Sequence, residues 1–445
     1  MTVGVFNSCF SSHWFSAEAL SLWTDRALVQ AWLDVEAALA RAQAELGMIP
    51  SAAAETIALN ARAELLDLDQ VSEGIRRTLH PFVPVLRALE ALCGEGAAGY
   101  IHWGVTTQNI YDTGCALQAR ASHVLLRRAL DRAVRVAGRL AATHRDTLQP
   151  GRTHGQHALP ITFGFKVAAW REELRRHVVR IEAATADAFV ARTGGAVGTF
   201  AAMDGKGRAI QARVAELLDL GVAPLPVRSA WDGMATYLSA LGLLAATAEK
   251  IAREVVLLQR TEIAEVEERF EHGKVGSSTM AQKRNPQHAQ NVATIARLLR
   301  ARAPLAGEAM VRMDEGDAIA GNIGDILVSE MAILAVSTVE ALALLMEGLV
   351  VHPDTMRRNL DLTGGAILSE AVMMTLAGTI GRHRAHDVLY EAAMRAADGS
   401  VTFEEALRSH PAIMAHAGPL DVAALLNPAN YAGEAAACVD EELRH

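Results

Sequence analysis

Apolar residues in this chain recur at three- and four-residue spacing over unusually long stretches. Leu243, Leu244, Ile251, Val255 and Leu258 trace one such stripe, the pattern of a helix with one face in a core. Residues 112–148 contain no proline. A continuous helix of that length would span about 55 Å at 1.5 Å per residue. Similar runs cover 161–192 and 231–270, and 317–350 nearly so. Helices this long exceed the globular mean several-fold, so they are expected to support one another in an elongated bundle. No alternating strand block and no internal repeat stands out. Three zones follow. Residues 1–108 hold shorter helices with breaks at Gly47–Pro50, His80-Pro81 and Gly94–Gly99. Residues 109–350 hold the long helices. Residues 351–445 return to short segments, with breaks at Gly364-Gly365, Gly381 and His410-Pro411.

Composition narrows the class. The 445 residues are 51% hydrophobic and only 5% aromatic, which fits a globular helical protein better than strands or disorder. The net charge of −9 argues against a nucleic-acid or anionic-membrane partner. Leu327–Val351 is strongly apolar but is interrupted by Glu330, Glu340 and Glu347, so a buried bundle helix is expected there, not a membrane span. The first basic residue is Arg26, so a secretory signal is not expected. Cys9, Cys93, Cys115 and Cys438 form no CxxC pair. Reduced thiols in a cytoplasmic protein are the simple reading.

Three breaks between long helices carry more polar residues than turns require. The first, Ile101–Thr113, contains His102, Thr106, Thr107, Asn109 and Asp112. Capping accounts for one of these; the hydroxyls at a helix start also suit a carboxylate or phosphate ligand. The second, Gly151–Pro160, contains Thr153, His154, Gln156 and His157. The HxxH pair lacks a third ligand at helical spacing, so no metal is expected, and the set reads as proton handling. The third, Glu271–Pro286, is rich in glycine and hydroxyls, with Ser277 near its tip and Lys283-Arg284 at its foot. It matches neither a phosphate loop nor a nucleophile elbow. A mobile surface loop and a lid that closes over a site are both compatible with it.

Taken together, Gly104–Asn109, Thr153–Pro160 and Gly276–Pro286 resemble the three motif segments of the fumarase/aspartase superfamily, and the third is highly specific. The resemblance extends over nearly the whole chain. Leu22–Pro50 resembles the first domain of adenylosuccinate lyases and carboxymuconate cycloisomerases, and Gly151–His177 looks most like the cycloisomerase branch. The resemblance implies an all-α, three-domain fold with a central long-helix bundle. It also implies a cytoplasmic homotetramer whose active sites each draw the three segments from three subunits, with no cofactor and no metal.

The implied reaction is β-elimination, or the reverse addition, on a small di- or tricarboxylic acid. Ser277 would be the base and His154 the general acid. His102, Thr106, Thr107, Thr153, Gln156, Lys283 and Asn285 would bind substrate. The Thr193–Thr199 stretch resembles a segment lining such sites, and reads equally well as a helix stop and restart. Several departures bear on the substrate. His13-Trp14 replaces the Arg-Tyr of adenylosuccinate lyases, and Gln290 replaces their Glu. Thr107 stands for Ser, Asn109 for Asp and Ala281 for Pro, and the 311–317 stretch is acidic where relatives often place Arg. The leading expectation is a 3-carboxy-cis,cis-muconate cycloisomerase-like enzyme. The alternatives are a C–N lyase releasing fumarate, as adenylosuccinate lyase does, and a non-catalytic helical scaffold derived from this fold.

Overall fold

The computed structural model describes residues 6, 8–270, 273, 276–416 and 421–445. It is an all-α protein. Its main helices are α1 (Asp25–Glu45), α2 (Thr107–Thr143), α3 (Phe163–Ala188), α4 (Asp232–Leu258), α5 (Gln287–Arg302), α6 (Ala318–Glu347), α7 (Ser369–Ile380) and α8 (Arg382–Ala397). Four of these, α2, α3, α4 and α6, are the long helices expected from the apolar periodicity.

Two compact units are discernible. The first comprises 1–131, 175–250 and 291–342; the second comprises 132–174, 251–290 and 343–445. The first unit has a core built on Val29, Trp32, Leu33, Ile57, Phe82, Val85, Leu89 and Ile110. α1 contributes Val29, Trp32, Leu33, Val35 and Ala40 to it, and the helix is buried along most of its length. Its start is fixed by Thr24, whose hydroxyl accepts the N–H of Ala27. A core of the second unit gathers Val372, Leu376, Leu389, Phe403, Leu407 and Ile413 around α7 and α8.

Three two-stranded pairings interrupt the helices: β1 (Leu148–Thr153) with β2 (Gln156–Thr162), antiparallel; β3 (Val190–Ala191) with β4 (Gly221–Val222), parallel; and β5 (Val266–Glu268) with β6 (Leu349–Val351), antiparallel. None was expected from the sequence. The β1–β2 ribbon places Pro150 opposite Pro160, a composition that argues against a strand. A two-stranded ribbon tolerates it because each strand has an open edge where a missing N–H costs nothing. The run 231–270 was read as one helix. It stops at Leu258, turns through Ala264 at φ 48°, and enters β5 to pair with β6. That pairing is non-local, so no Gly or Pro marks it.

α6 alone, among the described residues, is long and apolar enough to cross a membrane, and its most apolar window is 72% buried inside the protein. Val328, Met331, Leu334, Val339, Leu342 and Met346 are all inside. It has the profile of a core helix.

Candidate functional site

The first polar segment lies in the first unit, at the start of α2. Asn109 is fully buried there. Its Oδ1 accepts the N–H of Thr106 and the N–H of Gly195, both at 3.0 Å. The first bond is half a capping box, closing the helix start. The second ties that start to the Thr193–Thr199 stretch. Asn109 is thus a structural clamp. Among the described residues no hydrogen bond engages the hydroxyl of Thr106 or Thr107, so both are available to a ligand beside the α2 N-terminus.

His102 stands just upstream with φ 58°, a left-handed conformation rare for a residue with a side chain. What holds it is Glu36 of α1, whose side chain is 1% exposed. Glu36 Oε2 accepts the backbone N–H of His102 at 3.0 Å, and Oε1 lies 2.6 Å from Nδ1. A buried carboxylate in that position keeps the proton on Nδ1 and leaves Nε2 as the ring's acceptor. Gln43, seven residues on, donates to the carbonyl of Trp103 at 2.7 Å. Glu36 and Gln43 escaped the sequence reading. The signal was present: both fall on the buried stripe of α1, where a charge or amide needs a partner.

The second segment is the β1–β2 hairpin of the second unit. Its turn is His154-Gly155, with φ 52° and 76°, and Thr153 pairs directly with Gln156. Positive φ at both central residues is the requirement of a type I′ turn, normally met by Asn-Gly. His154, Thr153 and Gln156 are therefore presented together at an exposed tip. Beneath them Arg152 forms a bidentate pair with Glu265, whose side chain is fully buried and also accepts from Asn359 Nδ2 at 2.8 Å. His157 is half-buried, and its Nδ1 has no partner among the described residues. Burial, then the charge of Arg152, lowers its pKa, with Glu265 opposing. Its imidazole is therefore neutral at pH 7.

The third segment is the loop before α5, also in the second unit. Glu271, His272, Lys274 and Val275 lie outside the described residues. Ser277 is half-buried. Its Oγ accepts backbone N–H groups from Thr279 at 3.3 Å and Met280 at 3.1 Å. Two donors aimed at one oxygen stabilise negative charge on it. Asn285 donates from Nδ2 to the carbonyl of Gly276 at 2.7 Å. A Cβ on Gly276 would collide with the Lys283 carbonyl, so the loop closes tightly only with glycine there. Lys283 is exposed, and among the described residues its Nζ makes no hydrogen bond. No hydrogen bond between described residues joins this loop to the hairpin tip.

Charge beside the first segment comes from outside the motifs. Arg228 donates to Gln108 Oε1 at 3.3 Å, and Gln108 donates to Asp112 at 2.9 Å. Arg312 donates to the carbonyl of Arg228 at 2.7 Å and lies 5.4 Å over the Trp231 ring. Burial lowers the Arg312 pKa, and neighbouring Arg192 and Arg228 lower it further against Asp112 and Asp325. The Nε atoms of Arg192 and Arg228 are buried without a partner. Arg312 itself belongs to the 311–317 stretch, so that stretch carries one cation beside the first segment. Within that stretch Asp317 is a helix cap, accepting the N–H of Ile319 at 2.7 Å. Among the described residues no three of His, Cys, Asp and Glu converge as a metal site would require.

Comparison with known proteins agrees with this organisation. A lyase family model matches residues 16–299, and an adenylosuccinate lyase C-terminus model matches 365–441. N-acetyl-S-(2-succino)cysteine lyase of Dickeya dadantii (strain 3937) is 36% identical over 428 residues, 96% of this chain and 94% of its own length. The 3-carboxy-cis,cis-muconate cycloisomerase of Bradyrhizobium diazoefficiens is 36% identical over 431 residues, 96% of each chain. The crystal structure of 3-carboxy-cis,cis-muconate lactonizing enzyme from Pseudomonas putida superposes with a TM-score of 0.91 at 31% identity, covering 98% of both chains. With the fold, the motif order and these full-length likenesses in agreement, the chain is an enzyme of the fumarase/aspartase superfamily, a lyase by family.

Proposed function

We propose that this enzyme catalyses base-initiated β-elimination, or the reverse addition, on a small di- or tricarboxylic acid. The observation that carries this reading is the environment of Ser277. A serine hydroxyl is a poor base unless its alkoxide is stabilised. The N–H groups of Thr279 and Met280 converge on Oγ and supply that stabilisation without Lys283. Ser277 then removes the proton next to a carboxylate, and the developing negative charge spreads into that carboxylate. Thr106 and Thr107, Thr153 and Gln156, and Lys283 with Asn285 hold the substrate carboxylates. His154, held at a turn tip, protonates the leaving group, and His102 supports it or contacts substrate.

Base, acid and charge stabiliser stand on separate segments, and in this reading they meet in sites shared among the subunits of a homotetramer. Val179, Leu243, Ile319 and Ile326 are large apolar side chains exposed on the long helices of the first unit; such surface favours burial against further copies. Four free cysteines fit a cytoplasmic setting.

The leading form of the reaction is carboxymuconate-type cycloisomerisation, an intramolecular addition by the same chemistry. It draws support from the full-length likeness to two such enzymes. A second reading, release of fumarate from a succinyl thioether or succinyl amine, is favoured by the equal likeness to N-acetyl-S-(2-succino)cysteine lyase. An ultraviolet screen separates them. Carboxymuconate loses its conjugated absorbance on cyclisation, whereas succinyl substrates gain the absorbance of fumarate. Ser277→Ala is expected to abolish either change while substrate still binds; near-normal turnover in that variant removes Ser277 as base. Inactive Ser277→Ala and His154→Ala proteins, mixed and reassembled, are expected to regain activity. No recovery despite demonstrated subunit exchange counts against shared sites.

A further inference from the structure

The foot of the Ser277 loop is held by side chains that lie outside the three motif segments. Pro286, the residue before α5, carries no side-chain oxygen that could cap a helix. The first N–H groups of α5 therefore need acceptors from elsewhere. Glu268, the last residue of β5 and 8% exposed, supplies two. Its Oε2 accepts the N–H of His288 at 3.0 Å and its Oε1 that of Ala289 at 2.6 Å. The carboxylate also faces the positive end of the helix dipole. An external cap of this kind fixes the start of α5 to β5, and with it the residues that lead into α5.

Gln259, the residue after α4, joins this cap to the loop. Its Oε1 accepts the backbone N–H of Glu268 at 3.0 Å, and its Nε2 donates to the Arg284 carbonyl at 3.2 Å. One residue on, Asn285 grips the Gly276 carbonyl, and Gly276 adjoins Ser277. A path of hydrogen bonds and adjacent residues thus runs from Glu268 through Gln259 and Arg284-Asn285 to the neighbour of the base. Residues 277–283 lie between two tied ends, so where Ser277 Oγ stands depends on those ends. Arg284 also donates to Glu267 at 2.6 Å, but its side chain is 54% exposed, where an ion pair contributes little.

We propose that Gln259 and Glu268 are positioning residues for the base: by fixing the loop foot they hold Ser277 Oγ within reach of the carbon-bound proton. Neither touches substrate in this assignment. Proton transfer tolerates little misplacement, because the reacting atoms must already be near contact distance. Loosening the foot therefore weakens the transition state more than substrate binding, since Thr106, Thr107, Thr153 and Gln156 stand on other segments. The positioning half of this inference rests on the reading of Ser277 as base; the anchoring half does not.

Two measurements on the intact enzyme test the two halves. Trypsin reads the anchor, because Lys283 and Arg284 are exposed and cleavage after them requires the foot to open. Gln259→Ala and Glu268→Gln are expected to raise the rate of that cleavage, followed by mass spectrometry, about tenfold, and Glu267→Gln by less than about twofold. Cleavage unchanged in either of the first two variants overturns the anchor. Steady-state kinetics on the substrate identified by the ultraviolet screen read the positioning, at a temperature where each variant is folded. Gln259→Ala changes no charge, and is expected to lower kcat about tenfold or more with KM within about threefold of the parent. Gln259→Glu keeps the acceptor for the Glu268 N–H but not the donor to Arg284, and is expected to lose as much. A merely structural role would lower the urea midpoint and leave kcat of the folded enzyme within about twofold of the parent; that result overturns the positioning. Turnover by Ser277→Ala overturns the base reading and the positioning half together, and faster trypsin cleavage in Gln259→Ala and Glu268→Gln still upholds the anchor.

Discussion

Replacing Glu36 by Gln is the sharpest single test of how His102 is held. The change keeps shape and volume at a position whose side chain is 1% exposed. It removes the charge that two donors share, the backbone N–H at 3.0 Å and Nδ1 at 2.6 Å. The backbone N–H can only donate, so the amide oxygen must stay on it. The amide NH₂ then faces Nδ1, which has to present its lone pair, and the ring proton moves to Nε2. Nε2 of the neutral ring thus changes from acceptor to donor. Loss of one charge-assisted hydrogen bond costs about 1.5–3 kcal/mol, read as a lower urea midpoint. If Nε2 contacts substrate or supports His154, the same energy appears in the transition state as roughly a 10- to 100-fold loss of kcat/KM. The assay is the ultraviolet rate on whichever substrate the screen identifies, at a temperature where the variant is folded. Glu36→Asp, which keeps the anion, is expected to lose less. A Glu36→Gln enzyme with kcat/KM within about twofold of the parent would refute the tautomer argument and leave Glu36 a purely structural partner.

Three further outcomes follow from packing. Glu265→Ala leaves Arg152 half-enclosed without its carboxylate, and is expected to destabilise the second unit by about 3–5 kcal/mol in denaturant unfolding; a loss under about 1 kcal/mol would mean the pair is solvated. Gly164→Ala forces a Cβ to within 2.6–2.7 Å of the Ala141 and His144 carbonyl oxygens and the Arg145 Cα, and should cost about 1–3 kcal/mol, measured the same way. Burial, with Asp325 and Asp112 adding to it, pushes the Cys115 thiol far up, while Cys9 and Cys438 are exposed. Iodoacetamide at pH 8 should therefore label Cys9 and Cys438 rapidly and Cys115, half-buried with a raised pKa, much more slowly. Mass spectrometry of the native protein showing Cys115 labelled as fast as Cys438 would contradict the packing at the start of α2.

What was readable in the sequence and what was not divide along the range of the interactions. The long helices announce themselves through a repeat of three and four residues, a local signal that no distant contact has to complete. α2, α3 and α6 accordingly fall where the periodicity puts them, within a few residues. The hairpin that presents His154 carries no such signal. Its strands hold opposed prolines, and its turn has His where Asn is usual, so only the finished pairing reveals it. The stop of α4 at Leu258 is invisible for the same reason: β5 exists because residues 349–351 lie alongside it. The motif residues were legible as chemistry, but their individual tasks were not. Asn109, a cap candidate in the sequence, also ties the start of α2 to Gly195, and Asn285, expected to bind substrate, also uses its Nδ2 to close its own loop.

That division bears on where specificity resides. The motif segments present a hydroxyl oxygen cradled by two amides, a histidine on a turn tip and a histidine braced by a buried carboxylate. His102 and His154 both adopt positive φ, a conformation that costs about 1–3 kcal/mol and persists only where surrounding structure enforces it. These are the parts an elimination needs whatever the substrate carries. Arg192, Arg228 and Arg312 lie outside the motifs, beside Asp112 and the first segment. Arg228→Gln, which removes one of these charges, is expected to raise KM about tenfold and to leave kcat within about twofold of the parent. A loss of kcat at unchanged KM, with the fold intact, would place Arg228 in the chemistry itself and collapse the separation of reaction from recognition.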